Sequence, residues 1–166
     1  MEVLLVGNTD FITKQWIQHA FPRDHVVIAE REGTVDGNDR LRIVNMSDAN
    51  ALAETITTYE FDRIVFFSEN LTPHSDRDGD LGALRRLLHA IRNRQTQMLM
   101  VSGPESEFTY PENADVRDTS KSLMSRASEE LCLYYARAYR LEAKIIRCPY
   151  LSVAGSSWKV SCNAVT

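Results

Sequence analysis

Short apolar stretches alternate along the chain with segments in which apolar residues recur at helical spacing. Six stretches are apolar almost throughout, which is typical of strands buried on both faces of a sheet. They lie at 2–7, 25–29, 41–44, 63–67, 98–101 and 144–148. Four other segments carry apolar residues every three or four positions, which predicts helices with one buried face. They lie at 11–21, 48–59, 80–94 and 120–140.

Strands that alternate with helices predict a parallel sheet joined by right-handed crossovers. We therefore predict an α/β fold, a three-layer Rossmann-like domain with a parallel sheet of about six strands and helices on both faces. The spacing of the elements leaves no room for a second domain within 1–166. The tail at 149–166 fits neither pattern, because its serines and Gly155 indicate a loop whereas Trp158 indicates packing.

Composition narrows the class of protein without identifying a function. The 166 residues are 43% hydrophobic and 25% charged, with a formal net charge of -4. This charge gives no general attraction to nucleic acid or to anionic membranes. No apolar run is long enough to span a bilayer, and Met1 leads directly into an apolar strand, so we expect a cytoplasmic protein. The three cysteines are widely spaced, which predicts reduced thiols and no metal site.

The first thirty residues have the layout of a dinucleotide-binding unit. A strand ends at Gly7, a turn opens a helix, and a second strand ends at Glu30, 23 residues after Gly7. The helix N-terminus would face a pyrophosphate, and the acid would hold the ribose hydroxyls. Asp10 and Thr13, however, stand where glycines are expected, and Asp10 would repel the phosphates. We expect weak or no dinucleotide binding, and the alternative is an ordinary strand and helix without a ligand.

Six short motifs in the same order resemble the extended short-chain dehydrogenases/reductases, the NAD-dependent epimerase/dehydratase group that acts on nucleotide sugars. Their family forms are the glycine-rich opening, GDxxD, LLEAAR, a strand ending in SS, SKxxxE and a strand ending in RP. The corresponding segments here are 3–12, 45–48, 87–92, 100–103, 125–130 and 145–150.

The resemblance implies a set of cofactor contacts for NAD or NADP. By position, they are Gly7, Thr9, Asp10, Phe11, Ile12, Glu30, Asn45 and Met46. It also implies pairing of two subunits through the helices at 80–94 and 120–140, and a C-terminal substrate domain that would follow this chain. We therefore expect 1–166 to be the N-terminal part of a longer protein.

The family's catalytic groups are a tyrosine, a lysine four residues later and a serine or threonine after the fifth strand. Carried over by position, these places hold Ser122, Arg126 and Pro104. A serine hydroxyl does not exchange protons at neutral pH without its own base, and a guanidinium does not replace an ammonium group. Ser102 or Ser106 would take the place of Pro104 if the alignment shifts by two.

The sequence thus predicts a non-catalytic relative of the epimerase/dehydratase domain, acting as a binding, sensing or scaffold module without nucleic-acid or membrane partners. One alternative is an active NAD(P)-dependent epimerase/dehydratase or reductase with atypical catalytic residues. Another is a structural domain that forms homodimers through its helices.

Overall fold

The computed structural model describes residues 1–7, 23–30, 41–45, 49–67, 77–102, 116–147 and 163–165. These residues form seven strands and three helices. The strands are β1 (Glu2–Val6), β2 (His25–Glu30), β3 (Leu41–Asn45), β4 (Arg63–Phe67), β5 (Gln97–Ser102), β6 (Ala143–Arg147) and β7 (Asn163–Val165). The helices are α1 (Ala49–Thr58), α2 (Arg77–Ile91) and α3 (Val116–Tyr139). None of these described helices is long and apolar enough to cross a bilayer.

All seven strands belong to one sheet, in the order β3-β2-β1-β4-β5-β6-β7. The first six strands are parallel to one another, whereas β7 pairs antiparallel with β6. The predicted α/β Rossmann-like fold with about six parallel strands is therefore confirmed. The short seventh strand lies in the tail that fitted neither pattern, because three residues are too few to give a periodicity.

Apolar side chains are buried on both faces of the sheet. On one face, α1, α2 and α3 lie side by side and enclose the larger core, which includes Leu4, Ile64, Leu84 and Met100. On the other face, a second cluster contains Val3, Leu5, Val26, Ile28, Val65 and Val101, and these side chains are buried as well. Each central strand thus contributes residues to both cores, which explains why its sequence is apolar throughout.

Two helices begin earlier than their apolar spacing predicts. The helix predicted at 80–94 runs from Arg77 to Ile91, and the one predicted at 120–140 runs from Val116 to Tyr139. Both first turns consist mainly of polar or charged residues, although α3 begins with Val116, and such turns resemble loops when only the apolar period is followed. At its other end α2 stops before Arg92, where the Arg94 N–H donates to the Ile91 carbonyl at 2.9 Å and forms a tight turn. The predicted helix at 11–21 lies outside the described residues.

Candidate functional site

The carboxyl ends of the parallel strands form the edge at which this fold class binds ligands. The chain leaves β1 toward β2 and β3 on one side, and toward β4, β5 and β6 on the other. Adjacent strands whose connections run in opposite directions leave a crevice outside their carboxyl ends. In this protein the crevice lies after Val6 of β1 and Phe67 of β4, which are the last residues of the two strands.

Gly7 closes β1 in a conformation that favours glycine. Its φ angle is 146°, in the region that residues with a side chain rarely adopt. Its N–H donates to the Ala29 carbonyl at 2.9 Å and so extends the β1–β2 pairing by one residue. The glycine therefore allows the chain to turn away immediately after the sheet, as the predicted ligand-binding turn requires.

The acid and the amide predicted to contact the cofactor come together at this edge. Glu30 is the last residue of β2, Asn45 is the last residue of β3, and the two are paired in register. Five other predicted contacts, Thr9, Asp10, Phe11, Ile12 and Met46, lie outside the described residues, as do Pro104 and Ser106.

Ser102 places an unsatisfied hydroxyl at the same edge. It ends β5, the residue is 0% exposed, and its Oγ has no hydrogen-bond partner among the residues that the structure describes. A buried hydroxyl without a partner costs about 1–3 kcal/mol, so proteins seldom retain one without a use. The orphaned Oγ is the feature of this edge that fits a polar ligand, because such a ligand would supply the missing bond.

A buried ion pair lies beside Ser102. Arg147, the last residue of β6, is paired in register with Ser102. Its guanidinium donates to both carboxylate oxygens of Glu129 on α3, with Nη2–Oε2 at 2.7 Å and Nε–Oε1 at 3.1 Å. The Glu129 side chain is 5% exposed and that of Arg147 is 26% exposed. This two-pronged contact fixes the rotation of α3 relative to the carboxyl edge.

The face that α3 turns toward the sheet carries serines. Ser125, Ser128, Glu129 and Cys132 are buried, and their spacing places them on one side of the helix. Arg126, which occupies the predicted lysine place, is exposed. Ser122, at the predicted tyrosine place, lies within the second turn of α3. The structure therefore brings Ser125, Ser128 and Glu129 toward the interior while it leaves Arg126 at the surface.

Cys132 lies one helical turn beyond Glu129, in the larger core. Burial, together with the smaller effect of the negative charge of Glu129, raises the pKa of its thiol to about 11. A thiol with a raised pKa is a poor nucleophile at neutral pH, because the reactive form is the thiolate. Cys132 is therefore a packing residue.

Sequence reasoning missed the roles of Glu129, Arg147 and Ser125. Arg147 and the neighbouring acids Glu129 and Glu130 were recognised only as parts of short motifs. Which acid faces inward depends on the rotation of the helix, and the apolar residues of α3 do not define a single stripe. Leu123 and Tyr134 are exposed, for example, whereas Tyr135 is buried. One signal was present in the sequence. Glu129, Cys132 and Tyr135 follow one another at intervals of three residues, which places them on the same side of a helix.

Comparison with known proteins supports the fold. No protein-family model matches the chain, and no curated protein shows significant sequence similarity to it. Solved structures do match. A protein from Burkholderia cenocepacia J2315, provisionally designated an epimerase, aligns with a TM-score of 0.71 and 18% identity over 94% of this chain and 56% of its own.

Two further solved structures are similar. The Bordetella bronchiseptica enzyme WbmH, in complex with NAD+, aligns with a TM-score of 0.68 and 14% identity over 88% of this chain and 55% of its own. The glucuronic acid dehydrogenase of Chromohalobacter salexigens aligns with a TM-score of 0.62 and 17% identity over 86% of this chain and 58% of its own. The chain thus spans about half the length of the structures it matches. At these identities the similarity shows a shared fold.

Proposed function

We propose that this domain binds a dinucleotide weakly at the carboxyl edge of the sheet and does not catalyse hydride transfer, so that it acts as a binding or sensing module. The observation that carries the proposal is the inward face of α3. This face presents serine hydroxyls, and the exposed Arg126 lies off it. A hydroxyl with an ordinary pKa far above 7 is a poor general acid or base without a partner that shifts it.

The buried ion pair supports the proposal under a second alignment. In the family motif SKxxxE the acid follows the lysine by four residues. If the acid is the buried Glu129 rather than the exposed Glu130, the lysine place moves from Arg126 to Ser125. The tyrosine place then moves from Ser122 to Lys121. Neither alignment gives a tyrosine followed four residues later by a lysine, so the absence of the proton-transfer pair does not depend on the choice.

The groups that fit a dinucleotide are those of the first two strands. Gly7 allows the turn after β1, and Glu30 at the end of β2 would accept hydrogen bonds from the ribose hydroxyls of the adenosine half. A bound NAD would supply a hydride acceptor. That chemistry, however, requires a proton acceptor on the substrate oxygen, and α3 offers none in either alignment. The similarity in fold to WbmH, which was solved with NAD+, supports this choice of ligand.

Thermal unfolding in the presence of NAD+, NADH and NADP+ tests the proposal. A ligand present at ten times its Kd stabilises the folded state by about 1.4 kcal/mol, which raises the Tm of a domain of this size by about 3–6 °C. We expect this rise only at millimolar dinucleotide, because Asp10 weakens phosphate binding. No saturable rise with any of the three would contradict dinucleotide binding.

Matched variants locate the site and test its chemistry. Glu30→Ala should remove most of the Tm rise, whereas Glu54→Ala, which removes an exposed acid on α1, should retain it. The same protein should transfer no hydride between NAD(H) and UDP- or GDP-linked sugars, as followed by nicotinamide absorbance. Turnover that exceeds the blank and disappears in the Glu30→Ala variant would establish an active enzyme and overturn the non-catalytic proposal.

Exposed apolar side chains on α3 favour homodimerisation as a second function. Leu123 is 65% exposed and Tyr134 is 59% exposed, and their spacing places both on the outer face of the helix. Large apolar groups that remain in solvent are typical of surfaces that pair with a partner. We propose that two copies pack α2 and α3 of one against α2 and α3 of the other, in the helices predicted at 80–94 and 120–140.

A further inference from the structure

A polar cleft lies at the amino edge of the sheet, at the opposite end of the strands from the carboxyl edge. It has a volume of about 630 Å³ and is formed where the chain enters β4, β5 and β6. Clefts of this volume accommodate small molecules. Three arginines, Arg63, Arg94 and Arg140, line it together with the acids Asp62 and Glu142.

The first arginine is held in place across three strands. Arg63 donates from Nη2 and Nε to the Gln97 Oε1, at 2.9 and 3.3 Å, and Gln97 donates in turn from Nε2 to the Glu142 Oε1 at 3.0 Å. These bonds join the starts of β4 and β5 to the residue before β6. They leave the Arg63 Nη1 available, so a ligand would meet a donor that is already ordered.

The second arginine is also anchored by hydrogen bonds. Arg94 donates from Nη1 to the carbonyls of Ile56, at 2.7 Å, and Tyr59, at 3.4 Å, at the end of α1. Basic side chains commonly satisfy the last carbonyls of a helix in this way. The contact uses one nitrogen and leaves Nε and Nη2 of the same group for another acceptor.

The third arginine occupies a position that does not favour it. Arg140 follows α3 with a φ of 56°, and it is the non-glycine residue with positive φ among those that the structure describes. Glycine is the usual residue at this place after a helix, because it avoids the steric cost of a side chain. Within the described part of the chain, the Arg140 guanidinium forms no hydrogen bond or ion pair. Neither the backbone conformation nor a hydrogen bond within the described residues therefore accounts for an arginine at this position.

We infer that this cleft binds a small phosphorylated molecule, with the phosphate between the guanidinium groups. A guanidinium presents its donors in a planar fork that matches phosphate oxygens. The two carboxylates already accept hydrogen bonds, Asp62 from the Glu2 N–H at 2.8 Å and Glu142 from Gln97. Three guanidinium groups against two carboxylates leave a positive balance in a chain whose net charge is -4, and the Met1 ammonium, which also lines the cleft, is paired with Asp24 at 2.9 Å. The amide of Gln95, which also lines the cleft, can bond a hydroxyl-bearing remainder of the ligand.

Titration of the full chain with ribose 5-phosphate, followed by NMR of the backbone amides at constant ionic strength, tests the inference. We expect saturable shifts at 94–97 and 140–142, and no matching shifts at Gly7, Ser102 or Glu30. These two groups of amides lie at opposite ends of the strands, so the outcome is independent of dinucleotide binding. Shifts confined to the carboxyl edge, or no saturation at millimolar ligand, would overturn the inference.

Three variants separate a specific contact from general charge. Arg140→Gln and Arg140→Gly should each weaken ribose 5-phosphate binding about ten-fold, the loss expected for one hydrogen bond to a charged group. Arg137→Gln removes the same charge from the exposed surface of α3 and should change the affinity less than about two-fold. Arg140→Gly also relieves the positive φ, so its Tm should equal or exceed that of the wild type.

Two results would reject the cleft as a site for a small ligand. Equal weakening in the Arg137→Gln and Arg140→Gln variants would show that only the overall charge attracts phosphate. Co-sedimentation with phosphatidic acid vesicles, combined with no binding of ribose 5-phosphate, would assign the guanidinium groups to a lipid headgroup instead.

Discussion

Two buried hydroxyls of this protein can be compared directly, because they differ in whether they form a hydrogen bond. The Oγ1 of Thr96 donates to the Phe61 carbonyl at 2.9 Å, whereas the Oγ of Ser102 has no partner within the described part of the chain. Both side chains lie in the interior, with 4% and 0% exposure. The first hydroxyl therefore contributes to stability, and the second lowers it unless a ligand supplies an acceptor or donor.

Ser102→Ala should leave the free energy of unfolding unchanged or raise it by about 1 kcal/mol, because it removes a desolvated group that has no bond. Thr96→Val should lower it by about 1 kcal/mol, because the Phe61 carbonyl loses its donor. Denaturant unfolding measures both. A loss of more than about 1 kcal/mol in Ser102→Ala would mean that the hydroxyl has a structural partner after all.

The Cys132 thiol makes stability depend on alkaline pH. Its pKa is about 11 in the folded protein against an ordinary value of 9.0, so the unfolded chain releases the proton first. Its contribution is complete below pH 9 and is lost as the pH rises from 9 to 11, by up to roughly 2–3 kcal/mol. In a Cys148→Ser, Cys162→Ser background, Cys132→Ala should flatten this decline. An identical pH dependence with and without the thiol would contradict the assignment.

The pairing of Glu129 was not predictable from the residues alone. The two acids at 129 and 130 are chemically identical in sequence, and the structure buries one while it exposes the other. The distinction arises from the rotation of α3, whose apolar residues fall on more than one face. Gly7 was predictable, in contrast, because a strand that ends in a turn requires a residue with conformational freedom, and its φ of 146° agrees.

At the scale of elements, the contact between Glu129 and Arg147 joins α3 to the last parallel strand. Glu129→Gln should lower the free energy of unfolding by about 2 kcal/mol, because it replaces the charged acceptor of two guanidinium hydrogen bonds in a largely buried place by a neutral one. Glu130→Gln, on the exposed face, should change it by less than about 0.5 kcal/mol. Urea denaturation of the two variants tests this difference.

Replacement of both partners tests whether charge is required. Glu129→Leu combined with Arg147→Met should recover at least half of the loss in Glu129→Gln, since apolar pairs of similar volume often replace buried ion pairs. A double variant as unstable as Glu129→Gln would show that the ion pair stabilises the fold in a way that apolar side chains of similar volume do not replace.

The strands were more predictable than the helix ends. A central parallel strand is buried on both faces, so its sequence is apolar throughout. Such a strand can therefore be predicted from its own residues, without knowing which strands lie beside it. Helix ends depend on capping and on polar first turns, which is why Val116 rather than Ser120 begins α3. The three-residue strand β7 depends on its pairing with β6 and has too little sequence to predict.

The whole molecule presents a mixed outer surface on α2 and α3. Leu123 and Tyr134 favour self-association, whereas the exposed Arg85, Arg86 and Arg137 would face like charges across a two-fold axis. Salt screens such repulsion and leaves apolar contacts intact. The proposed dimer should therefore become tighter as ionic strength rises, which is the opposite of an interface held by ion pairs.

Sedimentation equilibrium at low and high salt tests the dimer. The wild type should self-associate more strongly at high salt, and Leu123→Glu combined with Tyr134→Glu should remain monomeric with an unchanged Tm. Glu54→Lys on α1 is a control outside the proposed interface. A wild type that remains monomeric at high concentration and high salt would contradict this association.

The central position of β1 has a consequence for biosynthesis. This strand emerges from the ribosome before the other strands of the sheet, yet one of its neighbours, β4, follows much later, since Val3 pairs with Arg63. Until then, one edge of a wholly apolar segment has no native partner, and such long-range pairing is slow to form. During translation β1 is thus exposed to aggregation and to capture by chaperones for longer than a strand whose neighbours are close in sequence.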